Sequence, residues 1–250
     1  MQIAATPKTR LFIPDALIAN SELSLTGEQA NYVARVLRLK VGGALFMFDG
    51  NGGKYGAVIK SFSKNRVVVT IGEHHDEEIE SPLAIRLVQG ISRAGRMDVV
   101  VQKATELGVR RISPVITEFS VVKLAGDRAV KRHEHWRKIS QSACEQCGRN
   151  SLPAIDGPHD LRIWLDNRKS DGATRILLDP QSRTSVSMLQ APKARVDLLV
   201  GPEGGLSEAE RSQCEESGFT PVSLGPRVLR TETAALAGIT VLQTLWGDFR

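Results

Sequence analysis

Hydrophobic positions along this chain follow two different patterns, and the change near residue 80 divides it. Before the change, residues 44–48, 55–61 and 66–71 form short apolar runs of strand length. Asp49-Gly50-Asn51-Gly52-Gly53 and Ser63-Lys64-Asn65 separate them with residues that tight turns favour. A further short strand is expected over residues 10–13, ending at Pro14. A helix capped by Thr26 is expected over residues 26–39, because Ala30, Val33, Ala34 and Leu37 recur at helical spacing. Short strands joined by turns predict a small β-barrel. From Leu83 onward, strands alternate with helices. Residues 83–88, 112–116, 175–178, 196–200 and 219–224 read as buried strands. Met97, Val100, Val101, Ala104 and Leu107 form a helical stripe closed by Gly108, and a long helix is expected over residues 127–147. This alternation predicts an α/β domain with a mostly parallel sheet and helices on both faces.

The most informative stretch runs from Val196 to Leu245. The strand at 196–200 is stopped by Gly201-Pro202-Glu203-Gly204-Gly205, and Ser207 with Glu210 makes a capping box that starts a helix. Gly218 closes that helix, the next strand breaks at Gly225-Pro226, and Thr231 is placed to cap a final apolar helix. Ligands of open α/β sheets bind outside the carboxyl ends of the strands, so these loops should meet at one crevice, joined by the loop after residues 175–178. The glycine loop lacks the Lys-Ser/Thr of a phosphate-binding loop and the spacing of a dinucleotide fingerprint, and Glu203 would repel a phosphate. A cofactor without phosphates fits better.

The segments VGPEGGLSEAE and SLGPRVLRTETAALAGITVLQ closely resemble the signature of the SPOUT methyltransferases, specifically the family that methylates N3 of a uridine in 16S ribosomal RNA, ribosomal RNA small subunit methyltransferase E. VARVLRLKVGGALFMFDGNGGKYGAVI, RMDVVVQKATELGV and ACEQCGRN resemble other blocks of that family, so the likeness covers nearly the whole chain. It implies a PUA-like RNA-binding barrel over residues 1–73, an acidic linker over 74–80, and a SPOUT domain with a trefoil knot over 81–250. S-adenosyl-L-methionine is the implied cofactor. Leu178, Val200, Gly201, Glu203 and Gly204 are expected around it, together with Leu224, Gly225, Leu229, Arg230 and Thr231. Arg230 is expected to stabilise the developing uracil anion, and Glu232 to orient that arginine or act as the base. Arg10, Arg35, Arg38 and Lys40 of the barrel, with Arg149 and Asn150, are the expected RNA contacts. A homodimer is also implied.

Charge adds a little to this picture. The net formal charge is +5. Residues 1–73 hold nine Lys and Arg against five Asp and Glu, whereas residues 74–80 hold four acidic residues and no Lys or Arg. Basic surfaces favour polyanionic partners, without identifying one. The three cysteines, with no apolar N-terminal segment and no run of membrane-spanning length, fit a cytoplasmic protein. Cys144 and Cys147 with His133 and His135 have the chemistry of zinc ligands. One continuous helix would hold the pairs too far apart for one ion, so no metal is expected. Two readings compete with uridine N3 methylation: ribose 2′-O methylation, and a catalytically silent RNA-binding assembly factor.

Overall fold

The computed structural model describes residues 7, 9–121, 124–167 and 171–249. The chain forms two compact units, Met1–Glu80 with Cys144–Leu152, and Ser81–Ala143 with Pro153–Arg250.

In the first unit, β1 (Arg10–Phe12) is followed by β2 (Glu22–Thr26), the short helix α1 (Gly27–Asn31), a π-helical turn over Tyr32–Val36, then β3 (Ala44–Phe48), β4 (Lys54–Ser63) and β5 (Arg66–His75). The sheet order is β1-β3-β4-β5-β2, with β1 parallel to β3 and the other pairs antiparallel. Leu11 from one edge strand and Leu25 from the other join the same buried cluster as Leu45, Met47, Ile59, Val67 and Val69, so the sheet curls around one core. Two register shifts between β4 and β5 supply the bend. Three expectations change here. The alternation in Glu22-Leu23-Ser24-Leu25-Thr26 is a strand that sequence reading missed, and Thr26 ends it without a side-chain capping bond. The helix expected to reach Leu39 ends near Leu37, because Arg38 takes a left-handed backbone with φ of 50°. His74 and His75, expected in a linker, pair with Tyr55 and Lys54 as the end of β5.

Residues 144–152 pack as part of this unit, and three of the expected RNA contacts take part in that packing. Arg149 is buried and forms a bidentate pair with Glu80 at 2.8 and 2.6 Å. Burial disfavours its charge, but the bonds and charge of Glu80 more than compensate, and its pKa is raised. Asn150 is also buried; its Nδ2 donates to the Glu77 carbonyl (2.6 Å). Arg10 donates to the Arg149 carbonyl (3.0 Å) and Asn150 Oδ1 (2.7 Å), and its guanidinium lies 4.8 Å from the centre of the Phe48 ring. Arg149 and Asn150 are thus spent on internal bonds, and half-buried Arg10 is tied to both. Arg35, Arg38 and Lys40 are exposed.

The second unit contains β6 (Ala84–Gly90), α2 (Ala94–Glu106), β7 (Arg111–Ile116), α3 (Gly126–Cys147, whose last turn belongs to the first unit), β8 (Ala154–Ile155), β9 (His159–Asp160) and α4 (Leu161–Asp166). It continues through β10 (Thr174–Leu178), β11 (Arg195–Val200), α5 (Glu208–Glu216), β12 (Thr220–Val222) and α6 (Thr231–Trp246). Every strand pair is parallel, in the order β12-β10-β11-β6-β7-β8, with β9 also on β7. Alternate residues feed opposite faces, as the pleat requires. Leu87, Leu198 and Val200 pack in the cluster that holds α2 and α6, while Val88, Leu177 and Leu199 pack with Trp164, Cys214 and Phe219 from the other side. The final helix is locked at its far end by buried Gln243, which accepts from Ser81 Oγ (2.7 Å) and donates to the Leu107 carbonyl (2.8 Å).

The Arg149 pair yields the first prediction. Arg149→Ala leaves Glu80 without its partner and should destabilise the protein by roughly 3–5 kcal/mol, as loss of one member of a buried ion pair does. Urea titration checks this. Unchanged stability together with weakened RNA binding would return Arg149 to the RNA surface.

Candidate functional site

Three neighbouring strands, β11, β10 and β12, run parallel, so the loops that follow them leave the sheet at one edge. These loops and the start of α6 enclose a cavity of about 560 Å³. Its walls include Leu177, Leu178, Val200, Leu206, Leu229 and Ala234, with polar groups on Asp179, Gln181, Glu203 and Arg230. Leu178, Val200, Gly201, Glu203, Gly204, Leu229, Arg230 and Thr231, all singled out from the sequence, line this cavity. Leu224 and Gly225 line an adjoining recess of about 50 Å³ that shares Leu178, Leu229 and Ala234.

Local chemistry explains the shape. Gly201 leaves little room for a side chain, since a Cβ there would stand 3.1 Å from the carbonyl carbon of Gly205. A Cβ on Gly204 would meet Cβ of Phe119 at 2.7 Å, so that glycine admits Phe119 from behind the loop. Ser207 and Glu210 close the expected capping box, and Glu210 Oε1 also accepts from the Glu118 amide (2.8 Å). Thr231 departs from expectation. Arg230 occupies the capping position of α6 without a side-chain capping bond, and Thr231 is the first helical residue. Its hydroxyl donates to the Gly201 carbonyl (2.6 Å) and accepts from Gln89 Nε2 (3.0 Å), which ties the start of α6 to the glycine loop.

Glu203 makes a second tie. Its Oε1 accepts from the Arg93 amide (3.1 Å) and from Arg96 Nη1 (2.9 Å), so the glycine loop is clamped to the first turn of α2. Burial works against its charge, yet the backbone amides and Arg96 prevail and hold its carboxyl below the ordinary value. Arg96 also faces Glu232, Nε to Oε1 3.8 Å. The expected partnership of Glu232 with Arg230 is therefore not formed. Glu232 does not line the cavity, whereas Arg96 does. The Arg230 side chain is exposed at the cavity wall and makes no hydrogen bond or ion pair among the described residues. Sequence reading missed Arg96, Asp179, Gln181 and Arg211 as lining residues. The Asp179-Pro180 stop after an apolar strand was a usable signal for that loop, but nothing in the sequence brings Arg96 across from α2.

The two histidines among the candidate zinc ligands have other partners. His133 Nε2 lies 2.7 Å from the Ile155 carbonyl and His135 Nε2 lies 2.9 Å from Asp98 Oδ2. Cys144 is buried, its thiol pushed up to about 12. Among the described residues, no group of three or more His, Cys, Asp or Glu could hold a metal ion.

A family model for an RNA methyltransferase domain matches residues 79–243, and one for an RNA methyltransferase PUA domain matches residues 25–72. Ribosomal RNA small subunit methyltransferase E of Buchnera aphidicola subsp. Acyrthosiphon pisum is 35% identical over 96% of this chain and 95% of its own length. The chain belongs to the ribosomal RNA small subunit methyltransferase E family. The member from Bacillus subtilis is 31% identical over 88% of each chain. Among solved structures, the methyltransferase E from Neisseria gonorrhoeae bound to S-adenosyl methionine has a TM-score of 0.90 at 38% identity, covering 97% of this chain and 99% of that one. A methyltransferase from Legionella pneumophila with bound cofactor SAM has a TM-score of 0.93 at 37% identity, covering 98% and 100%. The fold is thus the α/β trefoil-knot class of the SPOUT methyltransferases with an N-terminal PUA domain, as the sequence resemblance implied.

The clamp around Glu203 predicts a pH effect on this family member. A depressed folded-state pKa means that the clamp contributes fully above the ordinary glutamate value of 4.5 and is lost as pH falls through the lowered one. Amide exchange in residues 201–205, corrected for intrinsic rates, should stay slow down to that range. In Arg96→Ala the loss should begin at a higher pH, and adding Glu203→Gln should do little more. Equal protection in Arg96→Ala and wild type at every pH would remove the clamp from the account.

Proposed function

We propose that this chain methylates N3 of a specific uridine in small-subunit (16S) ribosomal RNA, using S-adenosyl-L-methionine. The coarser activity, S-adenosylmethionine-dependent methylation of ribosomal RNA, is that of its family. The cavity suits this cofactor. Its volume lies within the range of small-molecule sites, its walls are largely apolar, and its glycine loop offers backbone rather than cations. Leu178, Val200, Gly201, Glu203, Gly204, Leu224, Gly225, Leu229, Arg230 and Thr231 are the proposed contacts.

When bound, the cofactor supplies an electrophilic sulfonium methyl group. The chain must then hold the uracil ring in line and favour loss of its N3 proton. The observation that carries the N3 assignment is the uncommitted Arg230 guanidinium on the cavity wall. Uracil spreads the negative charge of deprotonated N3 over the flanking O2 and O4, and a planar guanidinium offers fixed donors to such oxygens without losing its own proton. Glu232 contributes through Arg96, which it helps hold at the cavity wall. The target uridine must present its Watson-Crick edge, so it is unpaired or flipped when it reacts.

Arg35, Arg38 and Lys40 remain the proposed RNA surface of the barrel unit, while the burial of Arg149 and Asn150 and the internal bonds of Arg10 remove those three from it. No described helix is long and apolar enough to cross a membrane, and a cytoplasmic location is part of the proposal. So is a homodimer, supported by Val228, an apolar side chain at the cavity that is 82% exposed. Sedimentation at micromolar concentration should give twice the chain mass of 27.3 kDa.

Mass spectrometry of nucleosides from ribosomal RNA treated with the protein should reveal 3-methyluridine. A 2′-O-methylated nucleoside instead would overturn the base assignment, and no modification at all would favour a silent binder. Arg230→Lys should lower kcat by about 10²–10³-fold, the scale seen when a transition-state donor is lost. Cofactor affinity should be retained, because lost affinity would make Arg230 a pocket residue only.

A further inference from the structure

The RNA surface proposed for the barrel unit rests on three cations, and α3 presents another set that no role yet absorbs. Within the second unit, α3 carries Arg128, Lys131, Arg132, Arg137 and Lys138 against only Asp127 and Glu134. Glu134 is paired with Arg137. Residues 128, 131, 132, 135 and 138 recur at three- and four-residue spacing, so they share one side of the helix. Trp136, Ser140 and Ala143 occupy its buried side. Arg128, Lys131 and Lys138 are exposed and Arg132 is half-buried. Arg128, Lys131 and Arg132 make no hydrogen bond or ion pair among the described residues.

Two contacts set the direction of this stripe. His135 meets Asp98 at 2.9 Å, and Ser140 Oγ meets Thr105 Oγ1 at 3.2 Å, so α3 and α2 run side by side in the same direction. Arg128, Lys131 and Arg132 precede His135 by one to two turns, and therefore lie beside the start of α2. That start carries Arg93 and Arg96, the residues that hold Glu203, and Arg96 lines the cavity. A row of cations thus points along α3 toward the end of α2 that carries Arg96.

We propose that this face of α3 is a phosphate-binding track on which the substrate RNA lies, with Arg128, Lys131 and Arg132 gripping its backbone. The proposal rests on the reading of the substrate as RNA. Charge complementarity selects the occupant, because a polyanion releases counterions when it meets such a row and a neutral protein surface gains nothing comparable. The track supplies grip and register near the cavity and takes no part in the methyl transfer itself.

The test uses the full chain with R128Q/K131Q/R132Q, changes on exposed or half-buried positions that keep helix propensity. Binding to protein-free small-subunit ribosomal RNA should weaken at least tenfold at low salt. The slope of log affinity against log salt should become shallower by about 2, at roughly 0.7–0.9 for each phosphate that the variant no longer neutralises. S-adenosylmethionine affinity and kcat at saturating RNA should stay unchanged while KM for RNA rises. R128K/R132K should behave as wild type. Wild-type affinity and slope in the triple variant would overturn the proposal. So would a defect seen only with assembled small subunits, which would mark the face as a protein dock. If the triple variant loses grip while the wild type yields no 3-methyluridine, the reaction assignment fails and the track stands.

Discussion

The hydrogen bond from Thr231 Oγ1 to the Gly201 carbonyl, backed by Gln89 Nε2, is the constraint on which the site depends. It joins two stretches thirty residues apart, the loop after β11 and the first turn of α6, and uses the threonine hydroxyl as donor and acceptor at once. Gln89 and Thr231 are both buried, so leaving either partner unpaired would cost the desolvation of a polar group. The tie therefore sets the spacing between the loop and the start of α6 on one side of the cavity. Gly238, farther along α6, lets that helix sit close to Leu178 and Leu198, where a Cβ would meet their side chains at 2.9 and 3.2 Å.

Glu203 illustrates how charge can serve shape. Besides lining the cavity, its carboxylate seats the loop on α2 through Arg93 and Arg96. Arg96 in turn separates Glu203 from Glu232, two carboxylates that would otherwise face each other across the wall. Arg230 has no ion-pair partner among the described residues, which suits the part proposed for it in stabilising a transient anion. The arrangement divides the arginines, with Arg96 spent on structure and Arg230 left for the chemistry proposed above.

A similar division runs through the basic residues at large. Arg10 and Arg149 look from composition like the rest of a basic surface, yet they hold residues 144–152 against the barrel unit. Arg149 keeps its charge in a buried place only because Glu80 meets it with two hydrogen bonds. Basic side chains facing water at Arg35, Arg38 and Lys40, and Arg128 and Lys131 on α3, have no such internal employment among the described residues.

Sequence by itself determined the strand-helix alternation, the parallel sheet, the capping box at Ser207 and Glu210, and the glycine loops that frame the cavity. These rest on hydrophobic period and on local turn chemistry, which are written in neighbouring residues. The motif resemblance added the trefoil-knot class and the residues proposed around the cofactor. Only the tertiary structure decided which cations are internal, because whether an arginine meets a carboxylate 69 positions away depends on the path of the chain between them. The same reason hid Arg96 from the site, turned Glu232 from Arg230 to Arg96, and moved Thr231 from a helix cap to the tie on Gly201: each depends on a partner that is distant in sequence and near only after folding.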